Sequence, residues 1–492
     1  MRVLTGFSIK VKLRLLVYVG PVALVCCALV TGAGAQDAAV LPQAPTPNIP
    51  VKTRPGGIAV EQAKAGALSL SLDEAIELGM KRNLQMQLSV QNERAVHGQV
   101  LTVENNLLPS LTAKAATATQ EINLAAMGFK PSSLEGLGLP PGSFQEIVKV
   151  DTTSAQLNVS QQLFNVPAYY LYRAAQKADR VANLTTLNER GNVTLKVGTK
   201  YLQALADAAQ IENARALEQA DEVALHQATA SHDAGVGTNL DMLRARVQLQ
   251  TQQQTVINAE NAFAKDKIAL NRLIGLPADQ ELTLTDKAPY SEFAQLPLED
   301  AKTLAYSRRK DFLSLQAQMD VADRARKAVR AERLPTVAFD GYYGVLGETH
   351  GLYHGVFSAQ GKLSIPIFQE GQLRGEREVA DAQLSALRRQ IESLRVTIES
   401  QIRSAMLDVQ SSSELVKVAR STVDLATEEL QQATDRFSAG VDDNLPVVQA
   451  QAVLADAQSK LVQTLYQYNQ SKLTLARNTG VVETQYKVYL GR

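Results

Sequence analysis

The feature that most constrains this chain is that it is one unit written twice. Leu72-Asp73-Glu74-Ala75 matches Leu298-Glu299-Asp300-Ala301, and Leu108-Pro109 matches Leu334-Pro335, both at a shift of 226 residues. Further on, Leu163-Phe164 matches Ile367-Phe368 at a shift of 204, and Ala234-Gly235-Val236 with Asn239-Leu240 matches Ala439-Gly440-Val441 with Asn444-Leu445 at 205. The change of shift places about 22 extra residues in the first copy, after its leucine-proline pair, and insertions of that kind mark loops. Two copies in series require two similar supersecondary units that pack side by side.

Each copy has the same order of patterns. Residues 72–107 and 298–333 are helical in composition and end at Leu-Pro, where proline stops a helix. Alternating stretches follow. Phe357, Ala359, Gly361, Leu363 and Ile365 oppose Ser358, Gln360, Lys362 and Ser364, while Ala155, Leu157 and Val159 oppose Gln156, Asn158 and Ser160. A period of two with one apolar and one polar face suits a strand between lipid and water, and equally suits a half-buried soluble hairpin. Strands are predicted at about 110–121, 152–163, 336–346 and 357–367.

About 65 residues without a helix breaker come next, from about 168 to 233 and from about 372 to 437. A helix that long spans about 100 Å, which compact domains rarely hold, so coiled-coil packing is predicted. Ile402, Val409, Val416, Val423, Leu430 and Phe437 recur every seven residues. Beyond the glycine turn Val447, Leu454, Leu461, Tyr468 and Leu475 do the same, as do Met242, Leu249, Val256, Phe263 and Leu270 in the first copy. The composition agrees, with 5% aromatics and no Trp. Zero formal net charge leaves no basic field for nucleic acid.

The N-terminus reads as an export signal, 1–35. Arg2, Lys10, Lys12 and Arg14 precede the apolar stretch Leu15 to Val30, and Ala33-Gly34-Ala35 offers a cleavage site before Gln36. An uncleaved anchor is the alternative. Cys26 and Cys27 both lie inside this segment without a lipoprotein pattern, so the mature chain is expected to be unlipidated and free of thiols. Residues 36–69, with five prolines, are predicted as an extended leader. The remaining organisation is predicted as repeat 1 over 70–280, a linker over 281–297, repeat 2 over 298–485 and a tail over 486–492. After the signal no run of about 18 apolar residues remains for a membrane-spanning helix.

The fold class expected is therefore mainly α with membrane β: long coiled-coil hairpins plus four strands per chain. Four strands cannot close a membrane barrel, so the barrel must be shared; three chains would give twelve strands and leave an open interior. The doubled order of helix, Leu-Pro, strands, Leu-Phe or Ile-Phe, long helix, Ala-Gly-Val turn and Asn-Leu resembles the TolC-type outer membrane efflux protein family over about 70–485. That resemblance implies a homotrimer with a twelve-stranded barrel in the lipid of a Gram-negative outer membrane. It also implies a periplasmic α-barrel closed at its lower end, and docking to a periplasmic adaptor coupled to an inner-membrane pump of RND or ABC type. The function implied is the exit duct of a tripartite efflux or type I secretion system.

The resemblance makes Gly235, Val236, Gly237, Thr238, Gly440 and Val441 candidate docking tips; alternatively the glycines merely permit the turns. Asp241 matches a family gate acid, but Pro446 and Gln449 stand at two others and Asp442 at a basic position. Asp442 and Asp443, with Asp241 and Arg244, are the candidate aperture residues, the other reading of the aspartates being helix capping. His350 and His354 are a weak metal pair in a glycine-rich loop, and no metal site or cofactor is expected. Phosphate loops, nucleophile motifs and metal clusters are absent from the sequence, which argues against an enzyme. A periplasmic adaptor would carry one hairpin rather than two, and a structural coiled-coil protein would not need two-faced strands.

Overall fold

A computed structural model of the chain describes residues 66–126, 145–235, 237–286, 290–293, 296–439, 441 and 444–491. The expected signal segment, most of the leader, and Val236, Gly440, Asp442 and Asp443 lie outside the described residues. The first repeat runs β1 (Leu68–Leu70), α1 (Leu72–Arg82), α2 (Leu84–Asn105), β2 (Ser110–Asn123), β3 (Ile147–Phe164), α3 (Val166–Asp233) and α4 (Asn239–Ile274), closed by β4 (Leu282–Leu284). The second runs α5 (Leu298–Arg308), α6 (Lys310–Ala331), β5 (Thr336–Glu348), β6 (Tyr353–Ser364), α7 (Glu370–Ser438), α8 (Leu445–Asn478) and α9 (Val482–Leu490).

Local chemistry sets the boundaries. Ser71 and Glu74 form a capping box at the start of α1, and Asn165 caps α3 by accepting from the Ala168 amide at 2.9 Å. The opening helical stretch of each copy is two helices rather than one. Asn83 leaves the helical region (φ −62°, ψ 130°), its side chain accepting from Gln85 and donating to the Leu273 carbonyl. At the equivalent position Arg309 does the same (φ −63°, ψ 120°), bound to Asp311 and Gln401. Behind each break packs a left-handed glycine, Gly275 (φ 73°) against Arg82 and Gly480 (φ 79°) against Arg309. These glycines are themselves 205 residues apart, so the duplication includes the break and its backing.

Three segments expected as connectors are structural. The leader end and the linker pair as parallel strands, Leu68 to Leu282 and Leu70 to Leu284, with Leu70 and Leu282 buried. The expected tail belongs to α9, with Tyr489 and Leu490 buried. The Tyr486 hydroxyl donates to Asp73 at 2.6 Å, and Phe293 lies against Tyr489 with ring centres 4.9 Å apart. These pieces carry aliphatic and aromatic groups that complete the core around Val197, Tyr201, Leu473 and Leu475.

In the coils, Ile398, Ile402, Val409 and Val416 of α7 are buried, as are Val447, Leu454, Tyr468 and Leu475 of α8 and Val256 and Leu270 of α4. Toward the tip these positions form the seam of α7 with α8, Val423, Ala426 and Leu430 meeting Leu454 and Ala457, whereas Ile398 and Ile402 pack on Ala301, Ala305 and Phe312 of α5 and α6.

Candidate channel wall and hairpin tips

The four long strands form one antiparallel sheet in the order β2-β3-β5-β6. Its register decides which residues share a face, because directly paired residues point the same way. Ala113 pairs with Leu157, Leu157 with Tyr343, and Tyr343 with Phe357. Leu111, Val159, Gly341 and Ala359 form the next row, and Val337 with Leu363 a lower one. The apolar faces of both repeats thus lie on one side, and no other described element covers them: Tyr343 is 69% and Phe357 79% exposed. The opposite face carries Thr112, Asn158, Tyr342 and Ser358 in one row and Lys114 with Gln156 in the next.

The hairpin tips combine turn and capping chemistry. Gly235 takes φ 75°, and a Cβ on Gly237 would lie 3.0 Å from the His232 nitrogen. Thr238 caps α4: its hydroxyl lies 2.5 Å from Asp241 Oδ2, and the Asp241 amide donates back at 3.2 Å. Asp241 also lies 3.7 Å from Arg244. Asp241 and Arg244 are thus brought together, with Asp241 committed to the helix start. At the second tip the Val441 amide donates to the Arg436 carbonyl at 3.0 Å, leaving the Val441 side chain exposed. His350 sits in a left-handed turn (φ 72°) and His354 on β6, so they do not share a helix. The described residues hold no cluster of three or more metal-binding side chains.

One functional candidate escaped the periodicity. Asp221 of α3 is 2% exposed, and among the described residues neither carboxylate oxygen accepts a well-formed hydrogen bond, Gln248 being the polar side chain beside it. Burial pushes its pKa up to about 6, against the opposing influence of the Gln248 side chain across the seam. Gln252, also buried, donates to the Ala214 carbonyl at 2.9 Å. The repeat overlay is the signal that finds them, since at 205 residues' distance stand Ala426 and Ala457, both buried in an apolar cluster with Leu454. Near the opposite end of α8, Lys472 is fully buried, 4.3 Å from the Tyr468 ring, and burial lowers its pKa to about 8. The Tyr468 hydroxyl donates to the Ser291 carbonyl and accepts from the Phe293 amide, fastening the linker to the coil.

The chain is thus built of twin coiled-coil hairpins joined to a two-faced antiparallel sheet. The outer membrane efflux protein family matches residues 75–276 and 303–481, more than half of the chain. The chain is 25% identical to the alkaline protease secretion protein AprF of Pseudomonas aeruginosa over 356 residues, 70% of this chain and 72% of AprF. It is 22% identical to the outer membrane protein TolC of Escherichia coli, over 69% of this chain and 71% of TolC. The solved outer-membrane channel OprN superposes with a TM-score of 0.70 at 17% identity, covering 83% of this chain and 89% of OprN. The protein belongs to the outer membrane efflux protein family. It is an outer-membrane efflux duct and not an enzyme.

Proposed function

We propose that three copies of this chain close a shared twelve-stranded barrel, continued by a periplasmic helical duct that receives substrate from an adaptor and an inner-membrane pump. The observation that carries this reading is the sheet: four strands, an uncovered apolar face, and two edges, β2 and β6, with no partner among the described residues. Lipid satisfies the face, but only another chain satisfies the edges, because unpaired backbone groups in hydrocarbon cost several kcal/mol each. The coils agree. Val247, Ile257 and Ile268 of α4 and Val396, Leu407 and Val418 of α7 stay exposed in a single chain, two apolar stripes for neighbouring subunits to cover.

The tips Gly235 to Thr238 and Gly440 to Val441 dock the adaptor, and Asp442 and Asp443 line the aperture with Asp241 and Arg244 as its fixed rim. Export leaves Gln36 as an unlipidated N-terminus. AprF, by its name, serves alkaline protease secretion; the cargo of this duct is set by its pump. The test is the oligomer. Detergent-purified protein is expected to run as a trimer and to form channels in planar bilayers, and a stable folded monomer would refute the architecture.

A further inference from the structure

The polar face of the sheet carries an ordered charge pattern. Its charged residues are Lys362 and Asp340 toward the helices, Lys114 midway, and Glu348 and His354 near the β5–β6 turn. Asp340 pairs with Gln360, one row from the Lys362 row, so Lys362 has an acid as diagonal neighbour. Lys114 has none so close. Its row holds Gln156, Gly344 and Val356, and the adjoining rows hold Thr112, Asn158, Tyr342 and Ser358 on one side and Ala116, Ser154, Leu346 and His354 on the other. The nearest acids, Asp340 and Glu348, stand two rows away on β5, about 13 Å along the strand. Lys114 is exposed and makes no ion pair among the described residues.

The opposite face is apolar over the same rows, so in a closed barrel Lys114 projects into the lumen. We propose that its three symmetry copies, with the neighbouring Gln156 amides, form an anion-binding ring inside the membrane section of the duct. The inference rests on the trimeric barrel proposed above. The ring takes solutes bearing several sulfate, phosphate or carboxylate groups, because three converging ammonium groups reward multivalent anions and leave neutral solutes unaffected. A cargo with an anionic stretch would thereby be drawn into the barrel.

The experiment is block of single-channel current by sulfated β-cyclodextrin added from the barrel side, with neutral β-cyclodextrin as the size control. Wild type is expected to be blocked by the sulfated ring alone, more weakly as salt rises. Lys114→Gln should raise the blocking concentration about ten-fold, Lys114→Arg should restore block, and Lys362→Gln should change it less than about three-fold because Asp340 already offsets that charge. Trimer mobility in detergent is checked for each variant. Trimeric Lys114→Gln channels blocked as readily as wild type would overturn the ring, as would an equal loss in Lys362→Gln. Failure of wild type to form trimers would instead refute the barrel.

Discussion

Asp221→Ala should stabilise the first hairpin, and the gain should depend on pH. The buried carboxyl titrates at about 6 in the folded chain against an ordinary 3.8. Below about pH 4 both folded and unfolded chains hold the proton, and the residue costs nothing through ionisation. Between about pH 4 and pH 6 the unfolded chain loses its proton while the folded chain keeps it, so stability falls as pH rises. Above about pH 6 the penalty is complete, about 3 kcal/mol from the two-unit displacement. Alanine at this site reproduces the second repeat, where Ala426 and Ala450 are both buried; the partner of Ala450 in the first repeat is the buried Ala245.

Hydrogen exchange read by mass spectrometry, on peptides covering residues 214–228 and 245–256, measures the opening free energy of this seam. The variant should exceed wild type by about 2–3 kcal/mol at pH 7.5 and by under about 1 kcal/mol at pH 4. A gain that is equal at both pH values would show that packing alone governs the site. A loss at pH 7.5 would show that the carboxylate has a compensating partner, and the reasoning from burial would fail.

Gly480→Ala places a Cβ 2.7 Å from the Arg309 nitrogen at a φ of 79°; a lowered trimer melting temperature, from a cost of about 1–3 kcal/mol, checks it. Val247→Glu with Ile257→Glu puts charge on the exposed stripe of α4, and is expected to convert trimer to monomer in size-exclusion chromatography. Asp442→Asn with Asp443→Asn is expected to lower cation selectivity in bilayer recordings and leave trimers intact; wild-type selectivity would reduce these residues to helix caps.

The parts of the fold legible in the sequence are those with a period. Heptads over α7 and α8 and alternation over β6 repeat one physical demand many times, so single exceptions do not hide them. The breaks at Asn83 and Arg309 were illegible, because each depends on partners far along the chain, the Leu273 carbonyl for one and Gln401 for the other. The β1–β4 pair and α9 were missed for a related reason. Three-residue strands and a nine-residue helix are too short to show a period, and what fixes them is the core they complete. Among the tip residues, Thr238 and Asp241 carry a capping signature in sequence, and that signature competes with any reading of Asp241 as a free aperture charge.

The duplication also shows how the two hairpins can differ in task while sharing a shape. Where the second seam holds the buried Ala426 and Ala457, the first holds the buried Asp221 and Gln252. An apolar seam resists parting over the whole pH range, because separation exposes hydrocarbon to water. A seam with a buried carboxylate gains solvation on parting, so near neutral pH its opening costs less. The first seam is therefore the one expected to open at lower cost near neutral pH, which the hydrogen-exchange comparison of Asp221→Ala tests. That asymmetry arises from side chains alone, since α3 and α7 are of nearly equal length, 68 and 69 residues.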